Sequence, residues 1–122
     1  MTARNSPTPD LSNRARGQWG EDLAARHYRR LGYDVIDRNW RSPTGELDLI
    51  VFDGTTYVFS EVKARRTADF GPASAAVTVA KQRRIRQLAV EWLRAHDVNA
   101  SSIRFDVVAI TGNELELITY AF

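Results

Sequence analysis

The chain contains no cysteine, which excludes disulfides and thiolate metal sites. Nor does it hold a run approaching the roughly 18 apolar residues of a membrane span. Its first residues form no apolar signal region, so a cytoplasmic protein with no membrane partner is the expectation. Lysine is scarce: of 17 basic residues only Lys63 and Lys81 are Lys, and the other 15 are Arg. Arg-rich usage can arise without any function. Yet a compact ammonium is favoured over a planar guanidinium where a single point charge must approach water or phosphate closely. Both lysine positions therefore draw notice.

What is present suffices for one core. At 122 residues and 43% hydrophobic, the chain reads as a single domain. A formal charge of +2 and a pI near 9.3 permit an anionic partner without requiring one. Met1 to about Asn13 is rich in Ser, Thr, Pro and Asn and reads as a flexible tail, leaving residues 14–122 as the folded unit.

Arg14 to Leu31 reads as a helix ended by Gly32, with a small or apolar stripe at Gly17, Gly20, Ala24, Tyr28 and Leu31. Glu21 projects about 60° from the centre of that stripe, at the edge of the buried face. By position alone it is an ordinary acidic residue in the N-terminal half of a helix, where the dipole favours it. Three strand candidates follow, Tyr33–Trp40, Glu46–Phe52 and Tyr57–Ala64. Arg65 to Pro72 then forms a loop, basic at its start, that could close over a phosphate backbone. A second helix, about Ala76 to His96, carries Ile85, Leu88, Ala89, Trp92 and Leu93 at helical spacing and should pack on the sheet, with a short turn at Ala73 to Val77 before it. Ile103–Thr111 is a strand, Gly112-Asn113 a two-residue turn, and Glu114–Tyr120 an edge strand. The second helix is long enough for a crossover, which would set the Ile103 strand parallel to and beside the Tyr57 strand. The fold class is α/β, a mixed central sheet flanked by helices, in the order helix, three strands, helix, strands.

The second and third strands place charge where strands normally place apolar residues. Side chains alternate faces with a period of two, so Asp48 shares a face with Ile50 and Phe52, while Glu61 and Lys63 share one with Phe59. If Asp53-Gly54 is a two-residue turn, Asp48 lies diagonal to Glu61. If the loop is Asp53 to Thr56, Asp48 sits directly opposite Glu61. Both loops are even in length, so either register puts Asp48, Glu61 and Lys63 on one side of the sheet. Carboxylates facing each other across strands at about 5 Å repel, and something must offset that. Mg2+ would do so through one or two carboxylates and retained waters, with Lys63 as a point charge beside the reacting groups. The bland alternative is a salt bridge from Lys63 to Glu46 or Glu61, with Asp48 solvated. Lys81 continues the core-facing line of the second helix toward its N-terminal end and should reach something anionic, or else snorkel.

In this order, Glu21, Asp48, Glu61-Val62-Lys63 and Lys81-Gln82 resemble the PD-(D/E)XK nuclease superfamily, which includes restriction endonucleases, RecB-type nucleases and archaeal Holliday junction resolvases. More narrowly, Gly20-Glu21-Asp22-Leu23-Ala24-Ala25, Arg38-Asn39-Trp40-Arg41, Gly45-Glu46-Leu47-Asp48-Leu49-Ile50, Phe59-Ser60-Glu61-Val62-Lys63 and Lys81-Gln82-Arg83-Arg84 look like the bacterial YraN family, over about Arg14 to Ile110. The resemblance implies a restriction-endonuclease-like core, with Asp48 and Glu61 as ligands of Mg2+ or Mn2+, Lys63 assisting the water, Glu21 as a further carboxylate and Gln82 as the helix glutamine beside the site. Ser60 departs from the pattern at a usually apolar position, and Leu47 replaces the proline of the motif's name.

Basic and aromatic residues around these positions suit nucleic acid: Arg38, Trp40 and Arg41 before the charged hairpin, Arg65 and Arg66 after it, and Lys81, Arg83, Arg84 and Arg86 on the second helix. Arg binds phosphate bidentately and Trp can stack on an unpaired base. Each can equally be a solvated charge or a packed indole. No helix-turn-helix or zinc finger is present to read base sequence, so recognition of DNA structure fits better. The expectation is a metal-dependent DNA endonuclease acting on branched, recombination or repair intermediates, with DNA favoured over RNA and a homodimer by analogy to resolvases. Two alternatives are a nucleic-acid-binding accessory protein on the same fold and a purely structural interaction domain.

Overall fold

A computed structural model describes residues 9–66 and 77–122, with side chains from residue 14. Helix α1 (Pro9–Arg30) is followed by strands β1 (Asp34–Ser42), β2 (Gly45–Phe52) and β3 (Tyr57–Arg65), helix α2 (Val79–Ala95), and strands β4 (Ile103–Thr111) and β5 (Glu114–Ile118). The sheet has the spatial order β1-β2-β3-β4-β5. All its pairings are antiparallel except β3 with β4, which is parallel, as the α2 crossover requires. Among the described residues no helix is long and apolar enough to cross a membrane.

Helix α1 begins at Pro9, five residues ahead of the expected Arg14, because proline is compatible with a first helical position; the rest of the expected tail, and the expected loop and turn over residues 67–76, lie outside the described residues. Helix α2 starts three residues later than expected. The Thr78 side chain caps it, accepting the Lys81 backbone N–H at 3.1 Å, and so fixes the first turn.

The helices cover opposite faces. Leu49, Val51, Val58, Val108 and Ile110 form one core with Ala24, Ala25 and Tyr28 of α1. Ile50, Phe59, Phe105 and Val107 form the other with Ile85, Leu88, Ala89 and Trp92 of α2. In α1 the buried stripe is narrower than its spacing suggests: Gly17 and Leu31 are exposed. Gly20 is where the helix touches the sheet, since a Cβ there would lie 2.8 Å from the Ala64 Cβ.

One buried charge is fully answered. Asp106 of β4, wholly inaccessible, accepts from Arg104 Nε and Nη2 at 2.8 Å each, from the Tyr28 hydroxyl at 2.8 Å and from the Tyr120 backbone N–H at 3.2 Å. A buried ion is tolerated when its lone pairs are this completely used. The network ties α1 to β4 and leaves Asp106 nothing further to bind.

The two helical glycines make opposite predictions. At Gly17 an added methyl meets nothing within 4 Å, so Gly17→Ala should stabilise by about 0.5–1 kcal/mol through helix propensity. Gly20→Ala should instead lower stability, because about 1–3 kcal/mol of overpacking exceeds that gain. Urea unfolding of both variants checks this, and a Gly20→Ala chain as stable as wild type would contradict the close approach.

Candidate active site

Phe52 pairs with Tyr57, so the β2–β3 loop is the four-residue one. Asp53 explains the choice, because its Oδ1 accepts the backbone N–H groups of Thr55 at 2.9 Å and Thr56 at 2.7 Å, a local cap that closes residues 53–56. This register would put Asp48 opposite Glu61, but the backbone ladder stops one step earlier, at Leu49 with Ser60. In place of the next backbone bond, the Asp48 carboxylate accepts the Val62 N–H through Oδ2 at 2.9 Å. On its other side β2 is also unpaired at Asp48: the β1 pairing runs from Arg38 with Leu49 to Trp40 with Leu47, skipping Asn39, which takes a left-handed φ of 54°. Asn tolerates that conformation better than most residues. Asp48 thus sits where the sheet opens on both flanks.

The opening is a pocket of about 200 Å³, lined by Gly45, Glu46, Asp48 and Glu61 from the sheet and by Lys81, Arg84, Ile85 and Leu88 from α2. Glu61 is 7% exposed, and its Oε2 is paired with the Lys81 ammonium. Burial, and next the Glu61 charge, push the Asp48 carboxyl up to about 8, against the opposing pull of the Val62 N–H. Glu21 stands on the α1 side, near enough for its charge to act on Asp48. Its own carboxyl is raised, chiefly by burial, while a hydrogen bond with Asn39 and the Arg38 charge pull it down. Among the described residues Glu21 Oε1 has no hydrogen-bond partner, with Arg38 Nη2 at 3.7 Å.

The expected site residues separate into two groups. Asp48, Glu61 and Lys81 meet, Arg84 borders them, and Glu21 is adjacent. Arg84 lays its side-chain stem over Gly45, where a Cβ would approach Arg84 Cδ to 3.2 Å and φ is +150°, so glycine makes room for it. Lys63 follows Glu61 on the same strand face by alternation but is exposed. The salt bridges weighed for it belong to other residues, Glu46 pairing with Arg41 at 3.0 Å and Glu61 with Lys81. Gln82 turns back to donate to the Val77 carbonyl at 3.2 Å.

The flanking basic residues are similarly divided. Arg38 donates to Asp22 at 2.7 Å, joining β1 to α1, and Trp40 packs on the α2-side core with its ring edge-on to His96. Arg86 lies 4.8 Å over the Phe105 ring. Arg66 and Arg83 are exposed. Arg65 buries Nε and Nη2 without a hydrogen-bond partner among the described residues.

Asn39 is a site neighbour that sequence reasoning passed over as an individual, and Glu46, weighed only as a salt-bridge partner of Lys63, lines the pocket. The one available signal for Asn39 is its residue type, which tolerates left-handed backbone better than most.

Chemically, two hard oxygen donors adjoin one ammonium. Among the described residues no group of three or more His, Cys, Asp and Glu is placed to hold a metal ion.

The raised Asp48 carboxyl sets the sign of a pH dependence in the metal-free chain. Its ordinary value is 3.8 and its folded value about 8, so over that window the folded chain holds a proton that the unfolded chain has released. Stability should fall as pH rises from about 4 to about 8, and Asp48→Asn should flatten that decline. Urea unfolding across the range measures it; equal slopes for the two proteins would contradict the assignment.

A profile of the family described as "Uncharacterised protein family UPF0102" matches residues 20–110, the span that contains every candidate site residue. The chain is 57% identical over 98 residues to a UPF0102 protein of Rhodococcus opacus, covering 80% of this chain and 83% of that protein. It is 48% identical over 97 residues to one of Frankia casuarinae, covering 80% and 82%. With a UPF0102 protein of Geobacter sulfurreducens it shares 47% identity over 115 residues, 90% of each chain. The chain belongs to the UPF0102 family, the YraN-like group that its motifs resemble.

Proposed function

We propose that this protein is a divalent-metal-dependent endonuclease of the PD-(D/E)XK superfamily, with a restriction-endonuclease-like core, hydrolysing phosphodiester bonds in branched or otherwise structured DNA during repair or recombination. The observation that carries this reading is the mutual placement of Asp48 and Glu61. Two carboxyl groups share a pocket wall at the end of a strand ladder, and one is forced toward its protonated form up to about pH 8. Such strained carboxyl pairs in clefts are candidates for function on physical grounds.

The donor set fits Mg2+ or Mn2+: both side chains are hard oxygen ligands, and the Val62 N–H fixes one oxygen of Asp48, orienting the carboxylate as an outer hydrogen bond orients a metal ligand. The ion, when bound by Asp48 and Glu61, supplies positive charge to a phosphoryl oxygen and lowers the pKa of a water. Lys63, at the exposed end of the same strand face, offers a point charge to the scissile phosphate or the attacking water. Arg84 at the pocket edge and the exposed Arg83 and Arg66 hold the backbone on either side, and phosphate contacts of this kind position DNA without reading its sequence. Glu21, partly buried on the α1 side and close enough for its charge to act on Asp48, adds negative charge that strengthens the pull on a cation.

The pairing of Lys81 with Glu61 also suits the second reading, a nucleic-acid-binding accessory protein whose site has become a structural ion pair. Cleavage separates the two. With Mg2+ or Mn2+, wild-type protein should cut at least one of a set of linear, flap and four-way DNA substrates. Asp48→Asn and Lys63→Ala should each reduce cleavage at least about 100-fold, in line with losing a charge-stabilising group, while salt-dependent DNA binding persists. If the wild type cuts none of them, the enzyme reading fails; if salt-dependent binding is also absent, the accessory reading fails too.

A further inference from the structure

Two lysines stand in a chain whose other cations are arginine, and only Lys81 is in contact with a carboxylate of the pocket. It leaves the first turn of α2, where the Thr78 cap fixes its backbone, and it reaches over the pocket to Glu61. The Glu61 side chain is 7% exposed and that of Lys81 39%, so the carboxylate is anchored and the ammonium is the movable partner. Glu46 also lines the pocket, but it is engaged by Arg41 at 3.0 Å. No acidic residue occupies the first turn of α2 to hold Lys81 elsewhere.

We propose that Lys81 is an exchangeable cation: it neutralises Glu61 in the metal-free protein and leaves when a divalent ion binds, so that the metal affinity of the site is set by competition with this ammonium. The inference rests on the metal-site reading above and deepens it. An ammonium seated on Oε2 of Glu61 and a divalent ion at the same carboxylate compete, because like charges in a partly desolvated pocket repel. A flexible four-carbon stem lets Lys81 withdraw without unfolding the helix turn. The released ammonium stays at the pocket mouth beside Arg84, where it faces an incoming phosphate. Metal loading thereby uncovers a phosphate-binding charge, and the site holds no excess of negative charge while empty of metal.

Mn2+ titration calorimetry on the full chain tests this. Lys81→Met should bind Mn2+ at least about fivefold more tightly than wild type, the worth of a half-exposed ion pair. Lys81→Arg, which retains the charge, should stay near wild type, and Glu61→Gln should abolish binding. A second readout needs no variant: acetylation of Lys81 in the wild type, followed by peptide mass spectrometry, should accelerate when Mg2+ saturates the site, and should not do so in Glu61→Gln. Equal Mn2+ affinity in wild type and Lys81→Met, or a Lys81 acetylation rate indifferent to Mg2+, overturns the exchange and leaves the metal site standing. Absence of Mn2+ binding in both wild type and Lys81→Met overturns the metal-site reading and the exchange together, whereas binding by Lys81→Met alone supports the competition in its strongest form.

Discussion

Two carboxyl groups meet where β2 and β3 stop pairing, and their repulsion is the constraint around which the rest of the pocket is arranged. Asp48 gives up a position in the ladder and takes the Val62 N–H through its side chain, so the strands part there and a cleft opens. Helix α2 delivers Lys81 to Glu61 from across that cleft, and α1 brings Glu21 to its other flank. The positioning depends on small features: Gly20 lets α1 approach Ala64, Gly45 admits the Arg84 stem, and Asn39, at a left-handed φ, leaves Asp48 without a partner on β1.

Asp106 provides the internal comparison. It too is a carboxylate in the middle of a strand, and it is more deeply buried than Asp48. There the charge is balanced by a two-pronged Arg104, a tyrosine hydroxyl and a backbone N–H, which is how a structural ion is accommodated. Asp48 has one backbone donor and another carboxyl beside it. The contrast is between a charge fully answered within the fold and a carboxyl that is not.

Much of this was legible in the residue order. Period-two alternation put Asp48, Glu61 and Lys63 on one face whichever loop formed, and the α2 spacing of Ile85, Leu88, Ala89 and Trp92 fixed the face that helix buries. The length of the α2 crossover implied the parallel β3–β4 pairing. Less legible were features that depend on three-dimensional competition for partners. Two candidate loops differed only in whether Asp53 would bond its own backbone, and that local bond decided the register. Gln82 and Arg38 have the residue types of a nuclease site, but nearer partners, the Val77 carbonyl and Asp22, claim their donors. Trp40 offered an aromatic face, and a neighbouring core took it. Asp106 carried the same strand signal as Asp48, and nothing in its immediate sequence announced the Tyr28 hydroxyl arriving from 78 positions away.

The metal reading and the structural ion pair make opposite claims about one small volume. Diffraction from a crystal soaked in Mn2+, recorded for anomalous scattering, examines that volume directly. The account predicts a single peak within about 2.0–2.3 Å of a carboxylate oxygen of both Asp48 and Glu61, with the Lys81 ammonium displaced from Glu61. A map with no peak between these two carboxylates, and Lys81 still seated on Glu61 at saturating Mn2+, would contradict it.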